Sequence, residues 1–248
     1  MNTKRFLLSV IGLLICVLLI FGWVKYNEGG PLPYPISIGS FFTIGSAIID
    51  PTTLLEDVRN GNEPLLQQVQ SGIPEDAPFV MTIGWSQDDY FAIAHVLHKA
   101  IWRDDPNEWH FYRAIFHIGC ENPNGKFESA MLYYYQEVKE DGKRMYSVRA
   151  ISIEPQYGYA AWGGDTFYPR PIIGGWTEID LDKITKVPAE KALALAEQQG
   201  GINIRRRVSN ACWIHINMWP WGYERSDWMV TYGGNIDLPN DEFWIPAK

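Results

Sequence analysis

His95 and His98 stand three residues apart, and His110 and His117 follow. Imidazoles spaced i, i+3 on a helix share one face, but a zinc site needs three or four converging ligands. No specific spacing such as His-Glu-x-x-His is present. His98 therefore reads as a surface residue and His95 as a partly buried one, and neither a metal nor any other cofactor is expected. Nucleophilic chemistry has no Gly-x-Ser-x-Gly elbow to stand on, and phosphate chemistry has no Gly-x-x-x-x-Gly-Lys loop. Glu154 and Asp165 flank a Gly-rich segment, which leaves a carboxylate pair of the glycoside-hydrolase kind open.

Aromatic side chains are the more suggestive group. Trp162, Asp165, Phe167, Tyr168 and Trp176 lie in one Gly/Pro-rich stretch, and Trp219 and Trp221 lie in a second. Rings held in such segments bind peptides or sugars by burying rigid area at low entropic cost. These seven are the candidate ligand-binding residues. The competing reading is that the rings close the ends of sheets as satellite cores.

Two cysteines fall in strand-like sequence. Cys120 shares parity with Ala114, Phe116 and Ile118, and Cys212 with Ile214, Ile216 and Met218. Both point to the apolar faces of their strands. They form a disulfide if the two segments pack together outside the cytoplasm, and otherwise act as small hydrophobes.

The elements that must position these residues begin after an apolar run. Residues 6–24 are almost unbroken in apolarity, preceded by Lys4 and Arg5, with Trp23 and Tyr26 at the far end. As a helix the run spans about 28 Å, close to a bilayer core. The basic residues before it put the N-terminus in the cytoplasm and the remainder beyond the membrane. The run is longer than a signal-peptide core and lacks a small-residue cleavage site, so it is expected to stay as a single-pass anchor. The third cysteine, Cys16, lies within it.

Residues 26–75 read as a stalk with two short helices, split at Asn60-Gly61-Asn62. Ser86 and Asp89 suggest a capping box for a helix carrying Phe91, Ile93, Ala94, Leu97 and Ile101 at helical spacing. Strands are expected over 109–120, 126–138 and 143–154, with Glu140-Asp141-Gly142 as a hairpin turn. The long segment 155–176 reads as a loop. A second helix over 189–199, ended by Gly200-Gly201, precedes strands over 202–208, 211–218 and 227–232. Arg205-Arg206-Arg207 then supplies edge-strand charges.

The stretch 187–196, ending at Gly200-Gly201, with the later Trp228-Met229-Val230-Thr231-Tyr232, resembles the helix and closing strand of PepSY domains. That resemblance implies a small exported α+β module with a regulatory, protease-restraining role and no catalytic residues. After Tyr232 the sequence departs from the family pattern, with Gly233-Gly234-Asn235 where an acidic residue and a Gly turn belong. The whole chain also resembles bacterial envelope proteins of this layout, which implies a location and no chemistry.

A formal net charge of −8 excludes a nucleic-acid binder that neutralises phosphates through a basic stripe. The fold expected is α+β: a transmembrane helix (1–25), the stalk (26–75), and two helix-plus-antiparallel-sheet units (76–176 and 177–248), in an order consistent with a tandem duplication. The function expected is that of a membrane-anchored, non-catalytic binding or regulatory module with a protein or peptide partner. The alternative is an envelope hydrolase using carboxylate or metal chemistry.

Overall fold

The computed structural model describes residues 43–64, 66–69, 84–121, 123–168, 186–220, 226–233 and 241–247. The expected anchor at residues 6–24, most of the stalk, Trp176 and Trp221 lie outside the described residues. Among the described residues no helix is long and apolar enough to cross a membrane.

The strands are β1 (Thr43–Ile48), β2 (Gln67–Val69), β3 (His110–Gly119), β4 (Ser129–Glu140), β5 (Lys143–Glu154), β6 (Tyr159–Tyr168), β7 (Trp213–Pro220), β8 (Ser226–Gly233) and β9 (Asp241–Pro246). The helices are α1 (Pro51–Arg59), α2 (Gln87–Trp102), α3 (Ala189–Ala196) and α4 (Ile202–Arg207). The nine strands among the described residues form one antiparallel sheet in the order β2-β1-β6-β5-β4-β3-β7-β8-β9.

That continuity corrects the expected division into two helix-plus-sheet units. The order of a helix followed by antiparallel strands does occur twice, but the first strands of the two runs, β3 and β7, pair with each other from Ile115↔Asn217 to Gly119↔Trp213. One register row crosses all nine of the described strands: Val69, Ser46, Ala161, Ser152, Met131, Ile115, Asn217, Met229 and Trp244. Pairing β3 with β7 satisfies two rows of backbone groups that separate sheets would leave as edges.

Other expectations change in detail. Residues 43–69 contribute β1, α1 and β2 to the sheet assembly, and the second short helix expected there is the strand β2. Segment 155–176 is no continuous loop, because β6 occupies Tyr159–Tyr168. The strand expected over 202–208 is the helix α4, so Arg205, Arg206 and Arg207 are helical. Gly200 does end the helix: at φ 133° it leaves helical geometry and kinks the chain, and α4 begins beyond it.

The helices pack on one face of the sheet. Tyr90, Ile93, Ala94 and Leu97 of α2 and Ala189, Ala192, Leu193 and Ala196 of α3 share a core with Phe116, Ile118, Leu132, Ile151, Ile216, Val230 and Tyr232. The Ser86–Asp89 capping box is present on α2, with Arg103 closing its other end in the left-handed region at φ 58°. Cys120 and Cys212 are joined by a disulfide with Cα atoms 5.2 Å apart. A backbone hydrogen bond from Cys120 N–H to the Cys212 carbonyl lies beside it.

Candidate functional site on the helix-free face

Strand alternation sends every second side chain to the face that carries no helix among the described elements. In β3, Phe116 and Ile118 enter the core, so Arg113, Ile115 and His117 take the other side; in β7 the same logic places Trp213, His215 and Asn217 there. The seam between β3 and β7 thereby gathers polar and aromatic side chains at the middle of the sheet.

His117 and His215 are direct cross-strand partners, with ring centroids 4.0 Å apart and planes inclined at 61°. Trp213 stacks on His215 at 3.9 Å. Arg113 donates from Nε to Asn217 Oδ1 at 3.2 Å and lies 5.4 Å from the Tyr133 ring centre. Gly119, beside His117 on the same face, donates its N–H to Glu128 Oε1 at 3.0 Å, and Glu128 N–H donates back to the His117 carbonyl at 2.8 Å.

Both imidazoles are held neutral. Burial pushes His117 down to about 4. Burial, and then the neighbouring His117, push His215 down to about 3. Among the described residues no side chain hydrogen-bonds either ring. Thr231, cross-strand from His215 on its other side, is buried, and its hydroxyl also makes no hydrogen bond among the described residues.

Among the described residues, the exposed large hydrophobics share this face. Trp213 is 39% exposed, Trp244 42% and Ile48 36%, and alternation places all three opposite the helices. Trp213 lies flat across Gly233, where an added Cβ would fall 2.1 Å from the indole. Glycine at that position is what allows the ring to lie on the sheet.

The expected ligand-binding residues are scattered by comparison. Trp162 is a core side chain, 6% exposed, packed over Gly45 on the helix side, and so takes the satellite-core reading. Asp165, Phe167 and Tyr168 are positions in β6, and Trp219 is a position in β7. Trp176 and Trp221 lie outside the described residues. Among the acids, Glu154 sits at the end of β5 with its carboxyl raised by burial and in hydrogen-bond range of Ser152 Oγ at 3.3 Å.

The histidines also differ from expectation. His98 is fully buried and His95 is exposed, because His98 falls on the core-facing side of α2. Its ring packs against Trp102, Trp109 and Tyr134. Arg149 lies over the Trp109 ring at 3.9 Å and pairs with Asp104, whose other oxygen is 3.5 Å from His98 Nδ1. This cluster ties the end of α2 to β5. No group of three or more His, Cys, Asp or Glu that could hold a metal occurs among the described residues.

Trp213, His215, Arg113, Asn217 and Thr231 were not among the candidates from sequence. A signal for them existed. All but Thr231, which lies in β8, occupy the polar parity of the strands whose apolar parity placed the cysteines, and cross-strand pairing then brings the five together. No protein family, curated protein or solved structure matches the chain.

Proposed function

We propose that this protein is a non-catalytic binding module, attached to a membrane through residues 6–24 and exposed beyond it, whose helix-free sheet face contacts a protein or peptide partner. The observation that carries the reading is that Trp213 and Trp244, the exposed tryptophans among the described residues, lie two strands apart on that one face, with Ile48 farther along the sheet. Large rigid rings set among hydrogen-bonding groups such as Asn217 and Arg113 are the usual anchors of protein contacts. Support for export comes from the apolar run behind Lys4 and Arg5 and from the Cys120–Cys212 disulfide, which persists in oxidising compartments.

The test is capture of partners from detergent-solubilised native membranes by tagged full-length protein, beside a Trp213→Ala/Trp244→Ala variant. A partner held by the wild type and lost by a variant that melts at the same temperature supports the reading. Equal capture by both proteins sinks the assignment of this face, and capture of nothing sinks the binding role.

A further inference from the structure

We infer that His117 and His215 form a two-imidazole site for a divalent transition-metal ion, with copper(II) bound in preference to nickel(II) and zinc(II). The pair is built for it by register. The residues are direct partners on adjacent antiparallel strands, a placement that holds Cβ atoms about 5 Å apart, and their rings approach to 4.0 Å on the same face. Two cross-strand imidazoles whose rings touch can reach one ion in adjacent coordination positions, and water fills the rest.

Two further observations point the same way. Neither ring is engaged in a hydrogen bond among the described residues, so the nitrogen lone pairs are not committed elsewhere. The Thr231 hydroxyl, buried and without a hydrogen bond among the described residues, is next in the row beyond His215. A water on the metal supplies the partner that this hydroxyl otherwise lacks.

The donor set decides the ion. Two imidazoles without a thiolate or carboxylate form no closed tetrahedral zinc site. With water completing the shell, affinity follows the general order in which copper(II) exceeds nickel(II) and zinc(II). The other histidines offer no equivalent pair: His98 is enclosed by Trp102, Trp109 and Tyr134, His95 is exposed on α2, and His110 stands opposite Tyr135 in β4.

The experiment is titration of full-length protein in detergent, carrying Cys16→Ser so that no free thiol competes, with copper(II), nickel(II) and zinc(II) salts. Tryptophan quenching gives the affinity, since Trp213 stacks on a proposed ligand. Electron paramagnetic resonance of the copper form counts the bound nitrogens. Expected are one copper per chain, two nitrogen ligands, and a loss of affinity of at least about 100-fold in His117→Ala and in His215→Ala. His95→Ala should bind as the parent does. An intact near-ultraviolet circular dichroism spectrum in each variant shows that the sheet is folded. Undiminished one-to-one binding in the folded His117→Ala/His215→Ala double variant overturns the inference, as does a parent protein that binds no copper.

Discussion

Gln87 and Glu190, 103 residues apart, cap each other's helices: the Glu190 carboxylate accepts the Gln87 backbone N–H at 2.7 Å, and the Gln87 side-chain carbonyl accepts the Ala189 N–H at 2.8 Å. Helix N-termini leave backbone donors without partners inside the helix, and here each run's first turn supplies the other's acceptor. The two helices are thereby joined at their N-terminal ends. Glu190→Ala or Gln87→Ala should each cost about 1–2 kcal/mol in urea denaturation. The double variant should cost measurably less than the sum, because the two contacts form one unit. Additive losses would show that the caps act independently.

The disulfide spans 92 residues and closes β3 onto the start of β7. Removing a bond that closes a loop of this length should cost about 2–5 kcal/mol. Cys120→Ala/Cys212→Ala protein should therefore unfold at a clearly lower denaturant midpoint than the oxidised parent. A midpoint unchanged by loss of the bond would mean that strand pairing alone holds the seam.

Acid should weaken the fold through the same seam. Both histidines have folded values below the ordinary imidazole value, at about 4 and about 3. The unfolded chain therefore binds their protons first. Their contribution to stability is complete above about pH 6.5 and is lost as pH falls through the folded values. Asp89, held low against its capping partners and Arg59, acts in the same direction, and Glu154, raised by burial, acts oppositely. Comparing the parent with His117→Ala/His215→Ala from pH 7 to pH 4 cancels those two groups. The parent should lose more stability over this window, and parallel curves would refute neutral histidines.

Gly201 is present because Tyr232 lies against it: an added Cβ would stand 2.2 Å from the phenol oxygen. That oxygen donates to Glu197 Oε1 at 2.6 Å, and Glu197 is gripped by Arg205, which also donates to the Cys120 carbonyl at 3.1 Å. Gly201→Ala should displace the ring and cost about 1–3 kcal/mol from overpacking. Weakening of the Tyr232–Glu197 bond adds to that loss. Thermal melting and the tyrosine absorption band would register it.

Trp162→Ala should cost about 3–5 kcal/mol, as a large core truncation does. If it folds, it should leave partner capture unchanged, because the ring packs on Gly45 inside the core. Loss of capture at unchanged stability would return Trp162 to the binding surface.

Local physics made much of the element list readable. Ser86 and Asp89 marked the start of α2 because a capping box is made within four residues, and Glu140-Asp141-Gly142 marked a hairpin whose tip has Asp141 and Gly142 at positive φ. The paired parity of Cys120 and Cys212 was readable because strand alternation is a period of two. Residues 202–208 misled because β-branched and basic residues suit an edge strand as well as a helix, and the contacts that favour the helix are tertiary: Ile204 enters the core and Arg205 pairs with Glu197 and the Cys120 carbonyl. The joining of β3 to β7 is a contact between segments about a hundred residues apart, and no local preference encodes it. From that pairing follow the single sheet, the meeting of His117 with His215, and the face on which Trp213 lies.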